Sequence, residues 1–204
     1  MKTGLLAQQI SQAHRQGQKL LAILIDPDKS NTAELARICH EAEQGGADLL
    51  FVGGSLLTDD RLNECLKEIR SLTKLPVLLF PGSVMQISNE ADGILFLSLI
   101  SGRNPELLIG SQVIAAPYLK QSNLEILPTG YMLVDCGKTT TAIYMSGSQA
   151  LPYDKPEIAA CTAMAGEMLG LQYFYLDGGS GAPQPVSPEM IAAVRKSVDK
   201  PIIV

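Results

Sequence analysis

The segment Tyr173–Ala182, YFYLDGGSGA, decides how the chain is read. Tyr173 to Leu176 is a short apolar and aromatic run, as expected of a buried strand. Asp177 stands where that strand leaves the core, and Gly178, Gly179, Ser180 and Gly181 follow at once. Strands need side chains to pack, so glycines gathered at a strand end imply that something comes close to the backbone there.

The same handover, from an apolar run to polar or small residues, recurs along the chain. Leu20–Ile25 gives way to Asp26, Leu49–Val52 to Gly53, Gly54 and Ser55, and Val77–Phe80 to Pro81 and Gly82. Gly93–Leu97 is followed by Ser98, Gly130–Asp135 ends on its own carboxylate, and Pro201–Val204 comes last. The runs are nearly continuous in hydrophobicity, as in parallel strands covered on both faces. Functional groups after nearly every strand are what a (β/α)8 barrel of the TIM type requires, because its site is built at the C-terminal ends of the strands. A doubly wound open sheet would gather them at one switch point. The expected fold is therefore an α/β chain of TIM (β/α)8 type over residues 1–204, read as one domain. The seventh run ends the sequence at Val204, so strand eight and its helix are absent from it.

Helical spacing fills the intervals. Leu6, Ile10 and Ala13 share a face near the N-terminus, Leu35, Ile38, Cys39 and Ala42 a second, and Leu62, Cys65, Leu66 and Ile69 a third. Ile158, Cys161, Ala165 and Met168 are expected to form the buried face of a fourth helix, and Ile191, Val194 and Val198 that of a fifth. Ser187 and Pro188 supply an N-cap and first-turn pair for the last of these.

With 46% hydrophobic and 18% charged residues and a net charge of −5, the chain lacks the basic surface that nucleic acid or an anionic membrane demands. An anionic ligand must then be held by backbone amides, a metal ion or a few placed cations. No apolar run approaches the ~20 residues of a membrane span, and the N-terminus lacks the continuous apolar centre of a signal peptide. A cytoplasmic protein is expected. Four scattered cysteines without a CxxC pair read as buried free thiols. His14 and His40 fall within helices, away from strand ends, and are given no chemistry.

Asp26, in the segment DPDKS, suits a hard cation, or equally a turn before Pro27 with Asp28 and Ser30 capping the next helix. Ser55 completes such a metal shell, binds phosphate oxygen, or closes a tight turn. Thr58, ahead of Asp59 and Asp60, reads as a helix cap. Successive amides at Gly178–Gly181 form an anion nest that binds phosphate without formal positive charge. A carboxylate beside that nest repels the ligand unless it serves as a base toward a neighbouring hydroxyl, which is the role read for Asp177. The alternative is an Asp177 held by backbone amides. Arg103 and Asn104 lie in a loop, as solvated residues or phosphate partners, and Lys138 lies in a long connection as a solvated loop residue.

The segments LIDPDK, GADLLFVGGS, LPVLLFPGS, ISGRNPELLIG, LPTGYMLVDCGKTTTAIYMS, YLDGGSGA and KPIIV together resemble the geranylgeranylglyceryl phosphate synthase family, which includes PcrB-type heptaprenylglyceryl phosphate synthases. The long PTGYML to IYMS segment is similar to the second of that family's two groups. The resemblance implies a TIM barrel that joins sn-glycerol 1-phosphate to a polyprenyl diphosphate, with geranylgeranyl diphosphate the expected donor. It also implies Mg2+, release of diphosphate and a homo-oligomer. By position it assigns Asp26 and Ser55 to the magnesium site, and Tyr175, Leu176, Asp177, Gly178, Gly179, Ser180 and Gly181 to the glycerol phosphate loop. Leu176 contributes backbone only, and Asp177 is the catalytic residue, standing where the family more often carries glutamate. Two other classes compete: a phosphate-binding barrel of isomerase or aldolase type, and a non-catalytic phosphate- or lipid-binding scaffold. A Schiff-base aldolase needs an inner-strand lysine, and none of the seven runs contains one.

Overall fold

The computed structural model describes residues 4–204. Seven strands alternate with helices, in the order expected. They are β1 (Ala22–Ile25), β2 (Leu49–Val52), β3 (Val77–Leu79), β4 (Gly93–Leu99), β5 (Glu125–Leu133), β6 (Tyr173–Asp177) and β7 (Ile202–Ile203). The helices are α1 (Leu5–Arg15), α2 (Thr32–Gln44), α3 (Leu62–Leu72), α4 (Ser111–Gln121), α5 (Thr141–Ser146), α6 (Pro156–Met168) and α7 (Pro188–Ser197). The strands lie in one sheet in consecutive order, β1 to β7. A doubly wound sheet would reverse direction at a switch point; this order has no reversal, so the fold is α/β of TIM-barrel type with seven strands. Among the described residues no helix is long and apolar enough to cross a membrane.

Internal contacts divide the chain into two compact units. The first runs to Leu95 and takes in Pro117–Ile126; the second comprises Phe96–Ala116 and Leu127–Val204.

In the first unit β1, β2 and β3 pair in parallel, with Ile23 opposite Leu50 and Phe51 opposite Leu78. All four residues of β2 are buried, whereas Leu24 of β1, an edge strand of the sheet, stays 47% exposed. Helix α2 buries Leu35, Cys39 and Ala42, and α3 buries Leu62, Cys65, Leu66 and Ile69, as their spacing predicts. Burial pushes the Cys39 thiol up and holds Cys65 at about 11, so both are inert core thiols. Asn31 begins α2 with a reciprocal capping box to Glu34, so neither Asp28 nor Ser30 is the cap. Ser30 instead donates to the Asp26 carbonyl. Thr58 does not cap α3, which begins at Leu62 with no side-chain cap.

Helix α1 obtains its cap from afar. Its N-cap is Gly4, and the Glu125 carboxylate, at the start of β5, accepts from Leu6 N at 3.0 Å and Ala7 N at 2.7 Å. A Cβ on Gly4 would lie 2.6 Å from Glu125 Oε1, so only glycine admits this anion to the positive end of the helix. Glu125→Ala is expected to lower stability by about 1–2 kcal/mol. Urea unfolding reads this, and an unchanged midpoint would contradict it.

In the second unit Met132 and Val134, Phe174 and Leu176, Ala159 and Ala163, and Met190 and Val194 form one buried cluster. The expected face of α6 is corrected here. Ala159, Ala160, Ala163 and Gly166 are inward, while Ile158, Cys161, Ala165 and Met168 are exposed. The cause is space: a Cβ on Gly166 would meet Phe174 Cε1 at 2.8 Å, so only small residues fit between α6 and the sheet. Cys161 is accordingly exposed, unlike the other three cysteines. Helix α7 buries Val194 as expected, with Ile191 half-buried and Val198 buried just past its end, and adds Met190 to the inward face. The expected Ser187 cap accepts from Met190 N at 3.2 Å. Helix α4, entered through a π turn at Glu106–Gly110, was not expected. Pro117 lies inside it, and Val113, Ile114 and Tyr118 are exposed, so its sequence has no clean apolar stripe.

Candidate functional site

The expected site residues fall in both units, and each unit is described by itself. In the first, Asp26 caps a 3-10 turn at Pro27–Lys29; its Oδ1 accepts from Asp28 N at 3.2 Å and its Oδ2 pairs with Lys29 Nζ at 2.8 Å. Asp28, read as a cap, turns instead to the next strand end, where its Oδ2 accepts from Thr58 N at 2.5 Å and Thr58 Oγ1 at 2.9 Å. The Thr58 amide is the main cause that holds the Asp28 carboxyl below its ordinary range. This bond ties the segment after β2 to the segment after β1.

Gln86 ties in the segment after β3, and nothing in its sequence context signals that role. It is buried, donates from Nε2 to the Gly54 carbonyl at 3.1 Å and accepts from Gly82 N at 3.0 Å. Gly54 in turn faces Asp26: a Cβ there would lie 3.5 Å from Asp26 Oδ1. Ser55, half-buried, is the next residue.

Asp26 offers carboxylate oxygens, the ligand type a hard cation takes, and the Lys29 ammonium already occupies a cation's place against Asp26 Oδ2. Ser55, next to Gly54, offers a hydroxyl of the same class. Lys29 is 73% exposed and free to swing away. Among the described residues no three His, Cys, Asp or Glu side chains gather as a metal cluster. A cation at Asp26 would therefore take few protein ligands and complete its shell with water and ligand oxygens, the usual habit of magnesium.

In the second unit the opening segment becomes β6 and its following loop. Successive side chains alternate across a strand. Phe174 and Leu176 therefore enter the buried cluster, and Leu176 offers only backbone to the loop, while Tyr173, Tyr175 and Asp177 share the other face. β5 pairs in parallel with β6, placing Tyr131 opposite Tyr175 and Leu133 opposite Asp177. The Tyr131 and Tyr175 rings meet edge to face at 5.8 Å. The Tyr131 hydroxyl donates to Asp177 Oδ2, and Gly179 N donates to Asp177 Oδ1 at 2.6 Å. Burial, and then the Asp177 charge, push Tyr175 up to about 12 and Tyr131 well above the usual tyrosine range.

The glycines are explained in part by the protein itself. A Cβ on Gly178 would lie 2.8 Å from Cys136 Sγ, and one on Gly179 would lie 2.7 Å from both Cβ and Oγ1 of Thr140. The segment after β5 is thus interleaved with the loop after β6. Gly179 also has φ +84, which L side chains rarely adopt. Burial raises the Cys136 thiol, leaving it a packing group. Gly181 is exposed, and a Cβ there would lie 3.1 Å from Lys138 Nζ. A placed cation therefore stands beside the glycine loop, where the reading of Asp177 and the glycines supposes uncharged donors alone. Tyr175, Leu176, Asp177, Gly178, Gly179 and Gly181 line a cavity of about 380 Å³; Ser180 is exposed and outside it. Arg103 is an exposed loop residue, while Asn104 is taken up structurally, donating to the Ser146 carbonyl at 2.9 Å and accepting from Glu106 N at 3.0 Å.

A carboxylate fixed at the wall of a cavity, with a glycine loop and a lysine beside it, suits a ligand carrying both a phosphate and a hydroxyl. The comparisons point the same way. The PcrB family model matches residues 14–204. A geranylgeranylglyceryl phosphate synthase of Spirosoma linguale is 56% identical over 188 residues, 92% of this chain and 76% of the relative. Its counterpart in Chitinophaga pinensis is 50% identical, over 92% and 75%. Among solved structures, (S)-3-O-geranylgeranylglyceryl phosphate synthase of Thermoplasma acidophilum, in complex with substrate sn-glycerol-1-phosphate, superposes with a TM-score of 0.90 at 34% identity. It covers 97% of this chain and 79% of that one.

Proposed function

The chain belongs to the PcrB family, and from that premise we propose that it joins the free hydroxyl of sn-glycerol 1-phosphate to a polyprenyl diphosphate, most simply geranylgeranyl diphosphate, releasing diphosphate. It is a prenyltransferase of the geranylgeranylglyceryl phosphate synthase kind. The observation that carries the proposal is the cavity at Asp177 and the glycine loop, in a chain that superposes over nearly its whole length on a relative solved with glycerol phosphate.

The loop amides of Gly178, Ser180 and Gly181 hold the phosphate, as nests of this kind do, while the Gly179 amide is already donated to Asp177 Oδ1. Ser180, exposed at the rim, meets it from the solvent side. Tyr175 walls the cavity beside Asp177 and remains protonated at neutral pH, a neutral donor next to the base. The glycerol oxygen attacks the allylic carbon, the bond from that carbon to the diphosphate breaks, and the hydroxyl proton passes to Asp177. Anchoring the phosphate makes this transfer effectively intramolecular. Asp26 and Ser55 hold magnesium, which when bound supplies charge neutralisation for the diphosphate leaving group.

A cytoplasmic setting and a homo-oligomer belong to the same proposal. The outward apolar residues of α6 and its C-cap, with Met168 85% and Leu169 83% exposed, support the second, because a stripe of this kind favours a covering surface.

Labelled glycerol 1-phosphate, geranylgeranyl diphosphate and magnesium are expected to give an ether product that retains the phosphate, and chelation to stop its formation. No ether product with any prenyl chain length would overturn the proposal. Lys138→Met is expected to raise the KM for glycerol 1-phosphate by up to about fivefold, the range of an exposed ion pair, and to leave that for the prenyl substrate unchanged. Equal changes in both would refute its placement.

A further inference from the structure

We infer that Tyr131 is a positioning residue for the reaction, its phenol O–H fixing the orientation of the Asp177 carboxylate that accepts the proton. The inference rests on Asp177 as the base in the proposed function and adds a residue to it.

The contact follows from register. Tyr131 is opposite Tyr175, so Asp177, two residues further along β6, is its diagonal neighbour on the same face. A tyrosine is long enough to span that diagonal, and its hydroxyl reaches Asp177 Oδ2. The other carboxylate oxygen accepts from Gly179 N. With one donor on each oxygen the carboxylate is no longer free to rotate, yet each oxygen keeps a lone pair for a substrate hydroxyl. The Tyr131 ring is held in turn by its edge contact with Tyr175 and by packing on Leu99, Leu133 and Ala142.

Two further features define the role. Asp177 and Tyr175 line the cavity and Tyr131 does not, so Tyr131 acts through the carboxylate rather than on the substrate. Burial and the adjacent negative charge push its phenol well above the ordinary range, so it remains a donor throughout the working pH.

Tyr131→Phe keeps the ring and removes the donor. It is expected to lower kcat on the order of tenfold to a hundredfold, as a misplaced catalytic group does, with a smaller change in the KM for glycerol 1-phosphate. Loss of a hydrogen bond donated to a carboxylate favours its protonated form, so the acidic limb of the kcat/KM profile moves to higher pH. A filler of the core would not move that limb. In an Asp177→Asn background the same change is expected to cost nothing more, since its effect passes through the missing carboxylate.

An unchanged rate and pH profile in folded Tyr131→Phe would overturn the inference, as would an equal loss in both backgrounds. If Asp177→Asn alone retained the wild-type rate, the base assignment and the inference would fall together, which distinguishes that failure from one of Tyr131 alone. Should Tyr131→Phe not fold, 3-fluorotyrosine in place of Tyr131 keeps the shape with a stronger donor. It is expected to move the acidic limb to lower pH, and no movement overturns the inference.

Discussion

Asp177→Asn is expected to lower kcat by about 10²–10⁴-fold, the usual contribution of a positioned general base. The substitution is nearly isosteric. An amide oxygen at this position can still accept from Gly179 N, as Oδ1 does now at 2.6 Å. The loop is therefore expected to keep its shape, and calorimetric binding of glycerol 1-phosphate to change far less than turnover. That split separates a base from a residue that merely shapes the phosphate cradle. A variant that binds and turns over within threefold of wild type would remove Asp177 from the chemistry and leave it the backbone-held carboxylate first considered. A variant that loses binding and turnover equally would make it a loop residue.

Gly179→Ala is expected to be the most damaging small substitution in the second unit. The residue has φ +84, and a non-glycine residue held there costs about 1–3 kcal/mol. The new Cβ also runs into Thr140, lying 2.7 Å from its Oγ1 and Cβ, and overpacking of this kind costs about 1–3 kcal/mol more. Thr140 cannot yield freely, because it is buried and caps α5 by accepting from Ile143 N at 3.4 Å. Thermal unfolding and glycerol 1-phosphate titration are both expected to show the loss. Adding Thr140→Ala removes part of the collision and is expected to recover some stability. A Gly179→Ala protein as stable as wild type would show that the loop is not held in this conformation.

The strand ends were legible because hydrophobic runs stop abruptly where the backbone leaves the core. Abrupt ends of this kind single out Asp26, Ser55 and the Tyr175–Gly181 segment as candidates. The faces of α2, α3 and α7 were also legible, since their large apolar residues lie inward. Helix α6 defeats the same reasoning. Apolar residues surround it, and reading the larger ones as buried selects Ile158 and Met168, whereas the narrow gap beside Phe174 admits only Ala159, Ala163 and Gly166. Asp28 and Thr58 were each read as a local cap, the commonest use of such residues, and instead bond to one another across 30 positions. Gln86 and Tyr131 carry no signal in the sequence for a related reason. Their partners are set by packing and strand register, which only the folded chain brings into being.

The interleaving of the segment after β5 with the loop after β6 bears on how this chemistry can be moved between proteins. Gly178 and Gly179 are shaped to Cys136 and Thr140 as closely as a key to its wards. Grafting residues 177–181 alone onto another scaffold would transplant the amides without the wall that bends them. Residues 131–140 and 175–181 therefore have to travel together for the loop to keep its shape, and recombination that parts them is expected to yield chimeras that fold without binding glycerol 1-phosphate.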